Sequence, residues 1–261
     1  MNEEQALLRR SLVPNLLRVL SYNALQGVSD LHGYEISRVF VPRALPLTEL
    51  PDEPLRLGIV AAGTAPGAAN WRGQGRQVDF YLVKGMIEGL AASMGVGPLE
   101  FSPGTTPITP AGRSATVSAH GTEIGWLGEL VGSVMEAYGL KKLVYLAELD
   151  FDTMYAMSGN LKLFDGLPRY PAVQRDLAFV VPDEAPAAEI EKLVSAAGGE
   201  LLVETALFDV YQGKPVPRGH RSLAYALSFR SPERTLTDEE VDTVCQRIVS
   251  AVRAVGAVLR S

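Results

Sequence analysis

The last third of the chain alternates between two hydrophobic periods, and this alternation limits the possible fold more than any other feature. Apolar residues recur at every second position in some segments, as in strands, and at helical spacing in others. In chain order the predicted elements are strand 175–181, helix 185–199, strand 201–212, strand 221–230, helix 235–256 and strand 257–260. Thr237 with Glu240 three positions later predicts a capping box for the second helix. The order predicts a ferredoxin-like split β-α-β-β-α-β domain.

The residues before it predict an α+β domain of a different order. Apolar residues at helical spacing run over 3–22, and Pro14 predicts a second helix starting there because proline is tolerated in a first turn. This spacing would place on one face Leu8, Leu12, Leu16, Val19 and Leu20. The remaining predicted elements are strand 33–42, strand 55–63, helix 78–95, a hairpin of 114–120 with 122–128, and strand 143–151.

Short turns between successive strands favour a mainly antiparallel sheet in this first domain. Residues 157–168 lack periodicity and contain two glycines and a proline, which is typical of a domain boundary. The sequence therefore predicts two domains, at 1–160 and 168–261.

Charge and cysteine content limit the classes of function. The net charge is −6, so binding a nucleic acid would require a local cluster of cations against that average. Cys245 is the only cysteine; no internal disulfide can form, which fits a reducing cytoplasm, and its helical surroundings favour a small buried residue over a metal ligand. No uncharged apolar stretch reaches the ~18 residues of a membrane span, and the first ten residues lack the apolar region of a signal peptide.

Cations of the second domain concentrate at predicted strand ends and connections, whereas most of its acids fall on the helices. These cations are Arg169, Arg175, Lys214, Arg218, Arg221, Arg230 and Arg234. In a split β-α-β-β-α-β fold both helices cover one sheet face. Alternation along 221–230 predicts that the other face carries Ser222, Ala224, Ala226 and Ser228. A face of small residues rimmed by arginines suits a splayed RNA strand; the alternative is a solvated rim of charges without a ligand.

Asp209 and Tyr211 are two residues apart on a predicted strand, so they should share a face. An aromatic ring can stack on a base, and a carboxylate can accept from the N–H groups of guanine's Watson–Crick edge. The alternative is a tyrosine at a strand end that packs on its neighbour, and spacing alone leaves both open.

Long segments of the second domain resemble one family. Residues 169–181, 207–241 and the terminal Leu259-Arg260 resemble the ferredoxin-fold anticodon-binding domain at the C-terminus of the bacterial phenylalanyl-tRNA synthetase beta subunit. The resemblance extends upstream to 3–23, 34–40, 78–90, "GRSATV" and "IGWLGEL", which are similar to the beta subunit's core domain, a non-catalytic relative of the class II synthetase fold. Members of this family usually carry amino-terminal nucleic-acid-binding, editing and magnesium-associated modules, so a C-terminal fragment is expected.

The resemblance implies roles for particular residues. Asp209 and Tyr211 match the family's D-x-Y, which is expected to read and stack the first anticodon base of phenylalanine tRNA. It also implies tRNA contact for Ser222, Ala178, Arg175, Arg221, Arg169, Lys214 and Arg218. It implies no metal or cofactor in this segment, with ATP and Mg²⁺ used by a catalytic alpha subunit. The implied partners are tRNA and that subunit, in a cytoplasmic α2β2 heterotetramer, with neither DNA nor a membrane.

Departures from class II motifs predict that the segment itself holds no catalytic residue. Where such enzymes usually have R-x-E after a strand of this type, the chain reads Val41-Pro42-Arg43. No phosphate loop or zinc motif of a familiar kind is present either. The alternative function is a free-standing ferredoxin-like module that binds a protein or a small ligand rather than RNA. The positions of Asp209, Tyr211 and the arginines would discriminate between the two.

Overall fold

The chain forms two compact units, Met1–Leu163 (unit 1) and Phe164–Ser261 (unit 2). The computed structural model describes residues 7–28, 30–65, 75–159 and 168–260. The first four residues of the predicted N-terminal helical segment (3–6) and most of the predicted boundary segment therefore lie outside the described residues. Among the described residues, no helix is long and apolar enough to cross a membrane.

Unit 1 is built on one six-stranded antiparallel sheet. Its strands are β1 (Leu31–Arg38), β2 (Leu55–Ala62), β3 (Leu99–Pro103), β4 (Ser114–Ala119), β5 (Thr122–Glu129) and β6 (Val144–Asp150). They are arranged in the order β1-β2-β6-β5-β4-β3. The predicted antiparallel character is confirmed, and β3 is an element that the sequence did not predict.

Helices cover both faces of this sheet. They are α1 (Val13–Leu25), α2 (Phe80–Met94), α3 (Gly132–Ala137) and α4 (Phe151–Met157). Residues of α2 and α4 join one hydrophobic core, whereas α1 and the side chains around α3 join another. Asp79 caps α2 by accepting from the Leu82 N–H at 2.7 Å, and Gly95 ends it in the left-handed conformation.

Pro14 lies in the first turn of α1, as predicted, but the predicted apolar face is only partly correct. Leu12, Leu16 and Leu20 are buried. Leu8 precedes the helix and is exposed, and Val19 is exposed as well. The helical pattern over 3–22 therefore overstates the buried stripe, since its first described part is not helical.

Unit 2 has the predicted ferredoxin-like topology. Its elements are β7 (Val173–Pro182), α5 (Ala187–Gly198), β8 (Leu202–Tyr211), β9 (His220–Phe229), α6 (Asp238–Arg253) and β10 (Val258–Leu259). The sheet order is β10-β7-β9-β8, with every neighbouring pair antiparallel. The α+β fold class with a split β-α-β-β-α-β domain is thus confirmed.

The core of unit 2 lies between the sheet and both helices. Its largest fully buried side chains are Phe179, Tyr225 and Phe229. The Tyr225 hydroxyl donates to the Ala187 carbonyl oxygen at 3.2 Å, and burial raises the pKa of Tyr225 to about 12. Cys245 packs partly buried against this core, and burial raises its pKa, in keeping with a structural thiol.

Helix α6 begins with the predicted capping box. The Glu240 N–H donates to the Thr237 hydroxyl at 3.4 Å, and the Thr237 N–H donates to the Glu240 carboxylate at 2.9 Å. Arg234 also donates to Glu240, with Nη1 2.7 Å from Oε2. The Arg234 guanidinium, followed by the Thr237 N–H, lowers the pKa of Glu240 to about 2.

We expect Glu240→Gln to weaken the start of α6 in a pH-dependent way. The folded pKa of Glu240 lies below its ordinary value of 4.5, so the ionised carboxylate stabilises the fold above that value. This contribution is lost as the pH falls toward about 2. Amide hydrogen exchange in α6 should be faster in the variant at pH 7, and the difference should shrink in acid. Glu239→Gln, in the same turn but outside the capping box, is the control; equal acceleration by both variants would contradict a specific cap.

Candidate nucleic-acid interface

Strand alternation divides the sheet of unit 2 into two faces. On β9 the side chains that join the core beneath the helices are Leu223, Tyr225, Leu227 and Phe229. The opposite face, which we call the open face, carries on this strand Ser222, Ala224, Ala226 and Ser228. The predicted division of β9 into an apolar side and a side of small residues is confirmed.

Cross-strand pairing brings Asp209 and Tyr211 onto the open face. Tyr211 pairs with Ser222, and Asp209 pairs with Ala224. On the far side of β9, Ala178 of β7 also pairs with Ala224. Paired residues of antiparallel strands point to the same face. The Asp209 carboxylate and the Tyr211 ring therefore lie on the open face, two residues apart along β8 and next to small side chains of β9.

The face occupied by Asp209 depends on an irregularity in β8. Leu207 pairs with the buried Tyr225 and thus lies on the helix side, whereas Asp209, two residues later, pairs on the open face. In a regular strand residues two apart share a face. Phe208 is the extra, unpaired residue at this register shift, and it reverses the alternation.

Tyr211 is held at the end of β8 by its surroundings. Its hydroxyl donates to the Lys214 carbonyl oxygen at 2.8 Å. Gly213 has φ 140°, and a Cβ there would lie 3.0 Å from the Tyr211 hydroxyl oxygen. The guanidinium carbon of Arg260 is 5.4 Å from the ring centroid, within the range of a cation–π contact. Tyr211 remains 38% exposed, so a positioned ring still offers surface to a ligand.

Arg260 is a member of this site that the sequence analysis did not single out. Its N–H donates to the Ala178 carbonyl oxygen at 2.7 Å, which ties the chain end to β7. Its Nη1 lies 3.4 Å from the Ser222 hydroxyl oxygen, and Ser222 is buried. Arg260 thus links the middle of the open face to Tyr211. The sequence pointed to Leu259 and Arg260 only through the family resemblance, because a strand of two residues is too short to show a hydrophobic period.

Two of the residues predicted to contact RNA lie away from the open face. Arg175 pairs with Leu227 and lies on the helix side, where its Nη2 is 2.6 Å from an Asp238 carboxylate oxygen of α6. Arg221 pairs with Val181, and its Nη2 donates to the Ala185 carbonyl oxygen at 2.7 Å. Both point away from the open face because strand alternation places odd-numbered residues of β7 and β9 under the helices.

The other predicted residues occupy varied positions. Ala178 and Ser222 are on the open face. Lys214 and Arg218 are exposed in the connection between β8 and β9, and Arg169 is exposed just before β7. Arg234 also pairs with Glu240. The prediction that these arginines together rim the open face is therefore wrong. A smaller group remains, centred on Asp209, Tyr211, Ser222 and Arg260.

Several charged residues of unit 1 form contacts with other groups of the same unit. Arg43 stands where class II enzymes usually have the glutamate of R-x-E, and its Nε donates to the Asp52 carboxylate at 2.9 Å, which contributes to lowering the pKa of Asp52. A cavity of about 360 Å³ is lined partly by Arg56, Glu148 and Asp150. Glu148 accepts from the Leu12 N–H at 2.6 Å, and Arg56 pairs with Asp150 at 3.3 Å. Within the described ranges, no group of three or more His, Cys, Asp or Glu side chains could hold a metal ion.

Two protein-family models match this chain. The model for the ferredoxin-fold anticodon-binding domain matches residues 168–260, which assigns unit 2 to that class of domain. The model for the phenylalanyl-tRNA synthetase beta chain CLM domain matches residues 1–151, more than half of the chain. The chain therefore belongs to the phenylalanyl-tRNA synthetase beta chain family.

Relatives in this family carry the name phenylalanine–tRNA ligase beta subunit. Those of Shouchella clausii, Symbiobacterium thermophilum and Moorella thermoacetica are 39%, 42% and 41% identical to this chain over its whole length. The chain spans 32%, 29% and 32% of their respective lengths, or about a third. Among solved structures, a pyrrolysyl-tRNA synthetase from Desulfitobacterium hafniense is similar at a TM-score of 0.41 and 14% identity, over 56% of this chain and 48% of that one.

Proposed function

We propose that this chain supplies the anticodon-reading and subunit-docking part of a phenylalanine–tRNA ligase. The observation that carries the proposal is the adjacent placement of Asp209 and Tyr211 on the open face of unit 2, with Arg260 and Ser222 beside them. Family membership supplies the substrate class, and the geometry supplies the residues that would contact it.

The chemistry of this face suits an unpaired guanine. A base can stack on the exposed part of the Tyr211 ring, which its hydroxyl and Arg260 hold in place. A carboxylate such as that of Asp209 accepts hydrogen bonds, so it favours the N–H donors that guanine presents on its Watson–Crick edge. Lys214 and Arg218 lie in the connection that follows Tyr211, where phosphates of the same loop could pass. Phosphate contacts set position, and base contacts set specificity.

Unit 1 would dock the catalytic alpha subunit. Large apolar side chains are exposed on and before α1, namely Leu7, Leu8, Val19, Tyr22 and Leu25. Exposed apolar groups on one segment are typical of an interface. The proposed assembly is a cytoplasmic α2β2 heterotetramer that attaches phenylalanine to tRNA, with ATP and Mg²⁺ handled by the alpha subunit. Arg43 pairs with Asp52 and Arg56 with Asp150 inside unit 1, and no chemical step is assigned to these residues.

We expect Leu25→Glu to weaken this assembly. A charge placed at an exposed apolar contact would have to be desolvated on docking, which costs binding energy. Co-purification with the alpha subunit should fall at least several-fold. Tyr155→Glu, at another exposed hydrophobic position but on α4, is the control. Equal recovery of the alpha subunit with Leu25→Glu and the wild type would place docking elsewhere.

Binding of an anticodon stem–loop tests the proposed function directly. The chain should bind a stem–loop whose first anticodon base is guanine, and binding should weaken as salt rises. Replacing that guanine by adenine removes the N1–H and N2–H groups from which the Asp209 carboxylate would accept, so affinity should fall by about 1–3 kcal/mol. Absence of binding at every salt concentration, or equal binding of both stem–loops, would favour the module that binds a protein or small ligand.

We expect Arg260→Gln to reduce discrimination at the first anticodon base. Loss of the guanidinium removes the cation–π contact with Tyr211 and the bond to Ser222, so the ring loses a positioning partner. The guanine stem–loop should bind about 0.5–2 kcal/mol more weakly. Arg253→Gln, at the exposed end of α6, is the matched charge control. A loss seen equally with both stem–loops would indicate that Arg260 contributes only charge.

A further inference from the structure

Strand β8 contains two register shifts against β9, and both leave an apolar residue unpaired. The first shift leaves Val203 between Leu202 and Glu204, and the second leaves Phe208 between Leu207 and Asp209. Both unpaired residues are exposed, Val203 at 51% and Phe208 at 59%. Bulges occur at sheet edges and beside functional sites, where they re-aim side chains.

The second shift lies directly beside the proposed reading residues. Phe208 precedes Asp209 and is three residues from Tyr211, at the edge of the sheet. Its neighbours Leu207 and Val210 pair with core residues of β9 yet are themselves exposed. Phe208 and its apolar neighbours are therefore exposed on the same strand as the Asp209 carboxylate and the Tyr211 ring.

We propose that Phe208 is a second stacking platform, for the base next to the one contacted by Asp209 and Tyr211. The inference rests on the proposed function and adds a residue to it. Bases stack on aromatic faces without sequence preference, so Phe208 would contribute affinity while Asp209 contributes discrimination.

The spacing along β8 requires an unstacked RNA strand. Three residues of a strand span about 10 Å, whereas successive stacked bases are about 3.4 Å apart. Two neighbouring bases could reach Phe208 and Tyr211 only when they are splayed, which is how single-stranded loops are recognised. The exposed phenylalanine is thereby matched to a loop rather than to a duplex.

Affinity measurements with the whole chain test this proposal. Phe208→Ala should weaken binding of the guanine stem–loop about 5- to 100-fold, and Phe208→Leu should restore little of it because a leucine cannot stack. Val203→Ala, at the other register shift, should leave affinity unchanged. The ratio of affinities for guanine and adenine at the first anticodon position should be the same in Phe208→Ala and the wild type.

A tryptophan at this position reports the contact itself. The fluorescence that Phe208→Trp adds to that of the wild type should be quenched when the stem–loop binds, because a stacked base quenches an indole. The fluorescence added by Val203→Trp should not change on binding. The proposal is overturned when Phe208→Ala binds as the wild type does while Tyr211→Ala is impaired. If the wild type binds the stem–loop and both variants bind it with the same affinity, the proposed function fails instead. It also fails if the wild type does not bind the stem–loop.

Discussion

Replacing Tyr211 by alanine is expected to remove about 1–3 kcal/mol of binding energy for the anticodon stem–loop, a loss of about 5- to 150-fold in affinity. The ring is partly exposed on the open face and is fixed by its hydroxyl bond to the Lys214 carbonyl and by Arg260. A ring already held in place loses little side-chain entropy when a base stacks on it. The measurement is a titration of labelled stem–loop at low and at moderate salt.

Two companion variants separate the ring from its supports. Tyr211→Phe keeps the ring but removes the bond to Lys214, so its loss should be smaller, at about 0.5–1.5 kcal/mol. Tyr155→Ala removes an exposed tyrosine of α4 and should not change affinity. The slope of affinity against salt should be unchanged in Tyr211→Ala, since a neutral ring neutralises no phosphate. Full affinity in Tyr211→Ala would mean that the tyrosine serves only to pack the end of β8.

The open face was predictable where a strand is regular and not where it is irregular. On β9, strict alternation from Leu223 to Phe229 correctly predicted the small residues on the opposite side. The same alternation could have placed Arg221 beneath the helices, because it adjoins Ser222. On β8 the pattern is interrupted by two unpaired residues, and a hydrophobic period alone does not locate a bulge. The prediction that Asp209 and Tyr211 share a face survived because no bulge separates them.

Long-range contacts account for most of what the sequence did not reveal. Arg260 reaches Tyr211 because β10 pairs with β7 at the far edge of the sheet, a pairing that no local pattern encodes. Arg175 was predicted at a rim and instead pairs with acids of α6, which the chain brings over it from more than sixty residues away. Local periods define elements, whereas the partners of a charged side chain depend on which elements pack together.

The second prediction with a large expected effect concerns Gly125 in the central part of the unit 1 sheet. It has φ 148°, a conformation that residues with a side chain rarely adopt. It sits on β5 between Val117 of β4 and Leu149 of β6. A Cβ added here would lie 2.2 Å from the Glu148 carbonyl oxygen and 2.8 Å from the Leu149 Cα. Both atoms belong to the backbone, so relief would require separating two paired strands.

Gly125→Ala should therefore destabilise unit 1 by about 3 kcal/mol or more, from backbone strain and overpacking together. For a unit of this size the melting temperature should fall by about 10 °C. Both tryptophans of the chain, at positions 71 and 126, lie within the residue range of unit 1, so tryptophan fluorescence, excited selectively over tyrosine, follows the unfolding of that unit. Gly132→Ala, at the start of α3 with no atom within 4 Å of the new Cβ, should be neutral or stabilising by about 0.4–1 kcal/mol. Similar unfolding of the two variants would show that β5 and β6 can separate at Gly125 without cost, and that the close approach of their backbones does not limit the residue at this position.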